Sequence, residues 1–367
     1  MQNFNYFTPT KIVFGKNTEQ QVGKLIQAQH CKKVLIHYGS QSAKKSGLLD
    51  RIKASLDNAG IAYIELGGVV PNPLLSLVYQ GIELCKQEGD VWELYDRKRQ
   101  ATACLPVATV LTISAAGSEM SESSVITKDE DGIKRGYSNN LSRPKFSILN
   151  PELTATLPAY QTASGNVDIL MHTMERYFTP NSTMEITDTI AESILKTVMK
   201  NAQILVKDPQ NYQARAEIMW CGSLSHNGLT GCGGGNGDWA THMLEHELSG
   251  MFDVTHGAGL AAMWGHWARY VYQDILPRFE RFATQVMGVT PATTAEQTAL
   301  KGIEAMEDFF RSINMPTNLT ELGINPSTEQ IAEMAHKCSI ASKGSIGAAK
   351  TLYEADMVAI YTAAKNA

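Results

Sequence analysis

The apolar residues of this chain change their spacing once, near Pro151, and that change limits the fold to an α/β part followed by an all-helical part. Before it, short runs rich in β-branched residues alternate with polar, helix-favouring stretches: KVLIHY (Lys33 to Tyr38, ending at Gly39), IAYIEL (Ile61 to Leu66) and LPVATVLTIS (Leu105 to Ser114). Runs of that length bounded by turn residues read as buried strands, and their alternation with helices predicts a Rossmann-like, doubly wound, mostly parallel sheet. A polar hairpin is expected around Asp129 to Gly136. Beyond Pro151 the pattern is helical. Ile186, Ile190, Ile194 and Val198 recur every four residues in a helix that should stop near Pro209, and further helices are expected at Ala214 to His226, Trp239 to Met251, Thr294 to Ile313 and Ala355 to Lys365. The expected domains are thus residues 1–150 and 151–367, an ordinary division for 367 residues.

Composition excludes several classes of function. A net charge of −5 with scattered Lys and Arg offers no basic face for nucleic acid. No run approaches the roughly 20 apolar residues of a membrane span, and the opening MQNFNYFTPTKIVFGKNT lacks a basic start followed by an apolar stretch, so a cytoplasmic protein is expected. The six cysteines include no Cys-x-x-Cys pair and read as reduced, mostly buried thiols.

Two stretches carry chemistry. In GNVDILMHTMERY, Asp168 and His172 stand four apart, on one face of a helix about a turn from each other, and can present a carboxylate and an imidazole to one ion. In DWATHMLEHELSGMFDVTHG, His242, His246 and His256 fall within fifteen residues. Imidazole is the commonest ligand of borderline divalent metals, and a site drawn from both stretches supplies three nitrogens and one oxygen, a set that suits Zn²⁺ or Fe²⁺. A zinc-protease helix is excluded, because Met243 stands where His-Glu-x-x-His needs Glu. The glycine-rich GCGGGNGD, Gly231 to Asp238, lacks the Lys-Ser/Thr of a phosphate-binding P-loop and has no strand before it; a turn that lets the histidine helix approach closely is expected.

At this point the chain resembles the group III, iron-activated alcohol dehydrogenases, in particular the branch of butanol dehydrogenases and broad aldehyde reductases. The resemblance runs through FNYFTPTKIVFGK, VLIHYGSQSAKKSGLLD, AAGSEMSESSVIT, NPELTATLPAYQTASGNVD, DWATHMLEHEL and GSIGAAKTLYEADMVAIY, in that order. It implies a dinucleotide-binding first domain, Asp168, His172, His242 and His256 as ligands of Fe²⁺ or Zn²⁺, and His246 as a non-ligand histidine beside the nicotinamide that could relay a proton. It implies hydride transfer between NAD(P)H and short primary alcohols or their aldehydes, in a homodimer. Gly39, Ser40 and Ser42 match the adenosine end of the cofactor site, and Thr112, Ser121 and Lys134 match positions lining its cleft. Without an acidic residue at Gly39 to Ser42, and with Lys44 and Lys45 following, NADP(H) is favoured over NAD(H).

One departure from that family is large. Between CKQE and GDVWELY, at the junction of Glu88 and Gly89, the family has a strand, a Gly-Gly-Gly-Ser turn and a helix, about 30 residues that hold the cofactor pyrophosphate. A milder departure is Ala116, where the family usually has Thr. Either the polypeptide lacks the unit, which would open a gap in the sheet, or the sequence as read omits it; the second is favoured, because excising an inner strand exposes buried faces and unpaired edges. The rival readings are an inert metal-binding remnant that cannot hold the cofactor and a lyase related to dehydroquinate synthase.

Overall fold

Among the described residues, three parallel strand pairings and one antiparallel hairpin organise the first part of the chain. In the computed structural model, which describes residues 1–39, 41–85, 90–180 and 184–367, the strands are β1 (Lys11–Phe14), β2 (Lys33–His37), β3 (Ala62–Leu66), β4 (Ala108–Val110), β5 (Ser123–Thr127), β6 (Lys134–Ser138) and β7 (Phe146–Leu149). β7 lies between β1 and β4 and pairs in parallel with both, Phe146 facing Lys11 on one side and Ala108 on the other. β2 and β3 pair in parallel, with Lys33 opposite Ala62, and form a separate block. β5 and β6 are the expected hairpin, paired Ser123 to Ser138.

The helices of this part are α1 (Val22–Gln27), α2 (Ser42–Lys45), α3 (Leu48–Asn58), α4 (Leu75–Leu84) and α5 (Trp92–Tyr95). In α3 the buried Leu48, Ile52 and Leu56 recur every four residues, which puts them on one face. They share a core with Val22, Leu25 and Ile26 of α1 and with Phe146 and Ile148 of β7, against which Val34, Ile36, Tyr63 and Val110 pack half-buried. Both strand blocks therefore rest on one core. A smaller core gathers Leu75, Trp92, Tyr95 and Ile126. These elements belong to one compact unit, residues 9–112 and 118–153.

The second unit comprises residues 1–8, 113–117 and 154–367 and is built of helices. They are α6 (Ala159–Tyr177), α7 (Glu185–Lys207), α8 (Tyr212–His226), α9 (Ala240–Phe252), α10 (His256–Val271), α11 (Leu276–Arg281), α12 (Ala295–Ser312), α13 (Thr328–Ala341) and α14 (Glu354–Asn366). Local chemistry fixes several starts: Asn211 and Thr294 accept main-chain N–H bonds from Ala214 and Gln297, and Ser327 forms a reciprocal cap with Gln330. The expected helices match to within about two residues.

The four-residue series on α7 drifts, as the pitch requires. A step of four residues advances about 40° beyond a full turn, so Val198 and Ile194 are buried, Ile190 is half-buried and Ile186 is exposed. The aromatic centre of the unit is Phe178, just past α6, stacked on Phe279 at 4.4 Å and flanked by Trp264, Trp267 and Phe282. A buried ion pair ties α7 to α11: Arg278 donates to both Asp188 oxygens at 2.7 Å and also to the Tyr177 carbonyl.

The fold class expected from the sequence, a parallel α/β part and a helical part, is the one observed. Two details differ. Of LPVATVLTIS only Ala108–Val110 is strand, since among the described residues β4 has a partner on one side alone and Leu105 and Val107 are left exposed. The cysteines form no disulfides, as expected, but only Cys221 and Cys338 are buried; Cys31, Cys85 and Cys232 are half-buried and Cys104 is exposed. Among the described residues no helix is long and apolar enough to cross a membrane.

Candidate metal centre

Three helices of the second unit converge on Asp168. It sits mid-way along α6, almost wholly buried, and His172 follows one turn later. α9 contributes His242 and, a turn on, the half-buried His246; α10 begins at His256. Gly257 makes that last placement possible, because a Cβ there would stand 2.0 Å from the Ser164 carbonyl oxygen of α6. Only a glycine lets the start of α10 come so close to α6. The glycine-rich segment before α9 does what its composition suggests: Gly233, Gly235 and Gly237 take positive φ, and the Asp238 N–H reaches the Glu175 carbonyl at 2.8 Å.

The donor atoms point at one another. His242 Nε2 lies 3.5 Å and His256 Nε2 3.7 Å from Asp168 Oδ1, and one ligand atom from each residue falls within 4.8 Å of the other two. Asp168 Oδ1 and His242 Nε2 are buried and make no hydrogen bond. Buried polar atoms normally have partners, so converging unpartnered ones mark a place for a cation. His172 Nδ1 is 2.9 Å from Asp168 Oδ1, and His172 falls into a second group with Asp168 and His226. His246 groups instead with Glu245 and His256, its ring 5.8 Å from that of His256.

Two carboxylates that sequence reasoning missed aim the imidazoles. Glu175 accepts the main-chain N–H of His242 at 3.0 Å and contacts its ring Nδ1 at 2.5 Å. Glu245 does the same for the Nδ1 of His256 and also accepts from Ser249. With Nδ1 donating to a carboxylate, each ring turns its Nε2 toward Asp168, the arrangement that fixes the tautomer and raises the basicity of a metal-binding histidine. Both left a weak signal: Glu175 stands three residues after His172 and Glu245 three after His242, so each continues the ligand face of its helix. His226, which groups with Asp168 and His172, was missed too, and it had no local signal.

The electrostatics follow from three buried carboxylates in one place. Burial pushes the Asp168 carboxyl up, but the imidazoles of His172, His242 and His256 outweigh it and hold that carboxyl well below the usual range. Burial pushes His242 down, while Glu175 and Asp168 raise it to about 10, so without a metal the ring keeps its proton. A divalent cation replacing that proton would balance the site better, since unpaired buried carboxylates are costly. The residues therefore fit a borderline divalent ion.

Comparison with known proteins agrees. Residues 162–365 match the model of the Fe-containing alcohol dehydrogenase family, C-terminal, and residues 9–91 and 87–151 match that of iron-containing alcohol dehydrogenase. The chain belongs to the iron-containing alcohol dehydrogenase family. It is 35% identical to NADH-dependent butanol dehydrogenase A of Clostridium acetobutylicum, with 98% of this chain and 99% of that one covered. It is 32% identical to the NADPH-dependent aldehyde reductase YqhD of Escherichia coli, over 89% and 91%. The crystal structure of NADH-dependent butanol dehydrogenase A from Thermotoga maritima superposes with a TM-score of 0.95 at 35% identity, covering 99% of each chain. This family member is thus an oxidoreductase, and nothing in the comparisons supports an inert remnant.

The cofactor candidates all lie in the first unit. Gly39 is half-buried in the turn after β2, Ser42 is exposed at the start of α2, and Ser40 lies outside the described residues. Thr112 is exposed just after β4. Ser121 is buried and accepts the Ser123 N–H at 3.0 Å. Lys134 is buried as well, its Nζ 3.0 Å from Asn72 Oδ1, which is unusual for a lysine and makes it more than a solvated charge. The junction of Glu88 and Gly89 also lies outside the described residues, although the family match divides there, into residues 9–91 and 87–151.

Proposed function

We propose that this enzyme passes hydride between a nicotinamide dinucleotide and short primary alcohols or their aldehydes, using a divalent ion, Fe²⁺ or Zn²⁺, held by Asp168, His242 and His256 with His172 beside them. The observation that carries the reading is the convergence of His242 Nε2, buried and without a hydrogen bond, and His256 Nε2 on the buried Asp168 Oδ1. When bound, the ion supplies Lewis-acid stabilisation of the negative charge that builds on the substrate oxygen. Glu175 and Glu245 hold the two imidazoles in the ligating tautomer. His246, half-buried one turn along α9 from His242, would relay a proton between substrate oxygen and solvent.

The relatives named above support the substrate class; one is named for NADH and the other for NADPH. The exposed Lys45 near the β2 turn, and the lack of an acidic residue there, favour NADPH. A homodimer in the cytoplasm completes the proposal. The test is butyraldehyde-dependent oxidation of NADPH and NADH by metal-loaded protein. Turnover lost on chelation and in His242→Ala, and restored to the unaltered protein by added metal, supports it; turnover that survives both treatments refutes it.

A further inference from the structure

We propose that His226 is a metal-ligating residue of this centre: with Asp168 and His172 it forms a second seat for a divalent cation, sharing the Asp168 carboxylate with the first. The inference rests on the metal-centre reading above and extends it to a fifth imidazole outside both histidine stretches.

His226 ends α8, the helix beside α6, and is 3% exposed. Its ring centroid lies 3.6 Å from that of His172 at a tilt of 38°. One ligand atom from each of Asp168, His172 and His226 falls within 4.8 Å of the other two. The tautomer follows from the hydrogen bonds. His226 Nδ1 lies 3.1 Å from the Gly222 carbonyl, which can only accept, and 2.7 Å from Ser225 Oγ, whose own hydrogen goes to that same carbonyl. Nδ1 therefore carries a hydrogen, and in the neutral ring the lone pair is on Nε2.

That Nε2 is buried and has no hydrogen-bond partner. A neutral imidazole with its far nitrogen tied to a carbonyl and its near nitrogen bare is the state in which histidine binds metal. Nor is the ring free to swing away. Gly117 has φ +63°, and a Cβ there would stand 2.0 Å from His226 Cγ, so the turn at Gly117 closes over the ring. Two imidazoles and one carboxylate oxygen suit Zn²⁺, Co²⁺, Fe²⁺ or Cd²⁺ rather than Mg²⁺ or Ca²⁺, which prefer oxygen.

The experiment uses full-length protein labelled with ¹⁵N-histidine, stripped by chelation and reloaded with ¹¹³Cd²⁺. Coupling between ¹¹³Cd and His226 Nε2 is expected beside the couplings of His242 and His256. In parallel, His226→Asn keeps the donor to the Gly222 carbonyl and removes Nε2, and it should weaken Co²⁺ binding by about 10-fold or more, as loss of a group that supports a metal does. Cadmium coupled to His242 and His256 but not to His226 overturns this inference and leaves the first seat intact. Cadmium coupled to none of them overturns the metal-centre reading itself. The coupling is measured on unaltered protein, so poor folding of the variant does not blunt the test.

Discussion

Replacing Glu175 by Gln tests whether the buried carboxylates build the metal centre or merely line it. Glu175 takes two hydrogens from His242, one from the main chain at 3.0 Å and one from Nδ1 at 2.5 Å. Glutamine has a single oxygen, so whichever way the amide turns, one of the two donors faces an NH₂ group. Loss of such a partner costs about 10–100-fold in metal affinity, or roughly 1.4–2.7 kcal/mol. Burial sets the place within that range. The His242 side chain is 7% exposed and that of His256 is 25% exposed, so Glu175→Gln should fall near the hundredfold end and Glu245→Gln near the tenfold end.

The pH dependence gives the sharper signature. Because His242 is raised to about 10 without metal, a cation must displace its proton, and affinity should climb about tenfold per pH unit between pH 7 and that value. Removing the Glu175 charge lowers the His242 pKa, so the variant meets less proton competition near pH 7 and its curve flattens earlier. The gap between the two proteins therefore widens as pH rises. Zn²⁺ affinities from chelator competition at pH 6.5 to 9.5 would show it. Parallel curves, or a gap that closes toward high pH, would refute the reasoning.

Three further outcomes are expected. Arg278→Ala removes one partner of a pair whose side chains are 5% and 3% exposed, leaving Asp188 uncompensated, and should lower stability by about 3–5 kcal/mol in urea unfolding of the metal-loaded protein. Gly257→Ala puts a Cβ against the Ser164 carbonyl and shifts the start of α10, so Co²⁺ affinity should fall about tenfold although no ligand is changed, measured by competition against unaltered protein. By mass spectrometry, the intact polypeptide should exceed the 40.2 kDa of the sequence by about 3 kDa, the weight of one strand-turn-helix unit; a mass of 40.2 kDa would establish a true deletion.

What could be read in the sequence was whatever local physics decides. The helices α7, α8, α9, α12 and α14 were legible from the pattern along the chain, and Asp168 with His172 from a four-residue spacing that a helix puts on one face. His256 is different. It stands at the first turn of a helix that was not anticipated, and its place beside Asp168 depends on Gly257 meeting α6, a contact between residues far apart in the chain. His226 was illegible for the same reason: its neighbours read as a polar helix end, and only tertiary packing buries it. Glu175 and Glu245 had the right spacing, but most carboxylates on helices are solvated, so spacing alone could not single them out.

The first unit carries a trace of the same lesson in reverse, where a local gap in the sequence leaves a mark on the sheet. In a parallel sheet inner strands are covered on both faces and become almost continuously buried. β7, paired on both sides, is buried at every residue from Phe146 to Leu149. β2, whose KVLIH run reads as an inner strand, is half-exposed or exposed throughout, and so is the short β4. The two parallel blocks, β2-β3 and β1-β7-β4, share a core, yet no pairing joins them among the described residues. One more parallel strand would have open edges to pair with on both blocks, and the helix following it would cover faces now open. The family's phosphate-holding unit, expected between Glu88 and Gly89, is a strand followed by a helix. That unit thus bears on the binding of the dinucleotide, while the metal centre, built wholly within the second unit, does not depend on it.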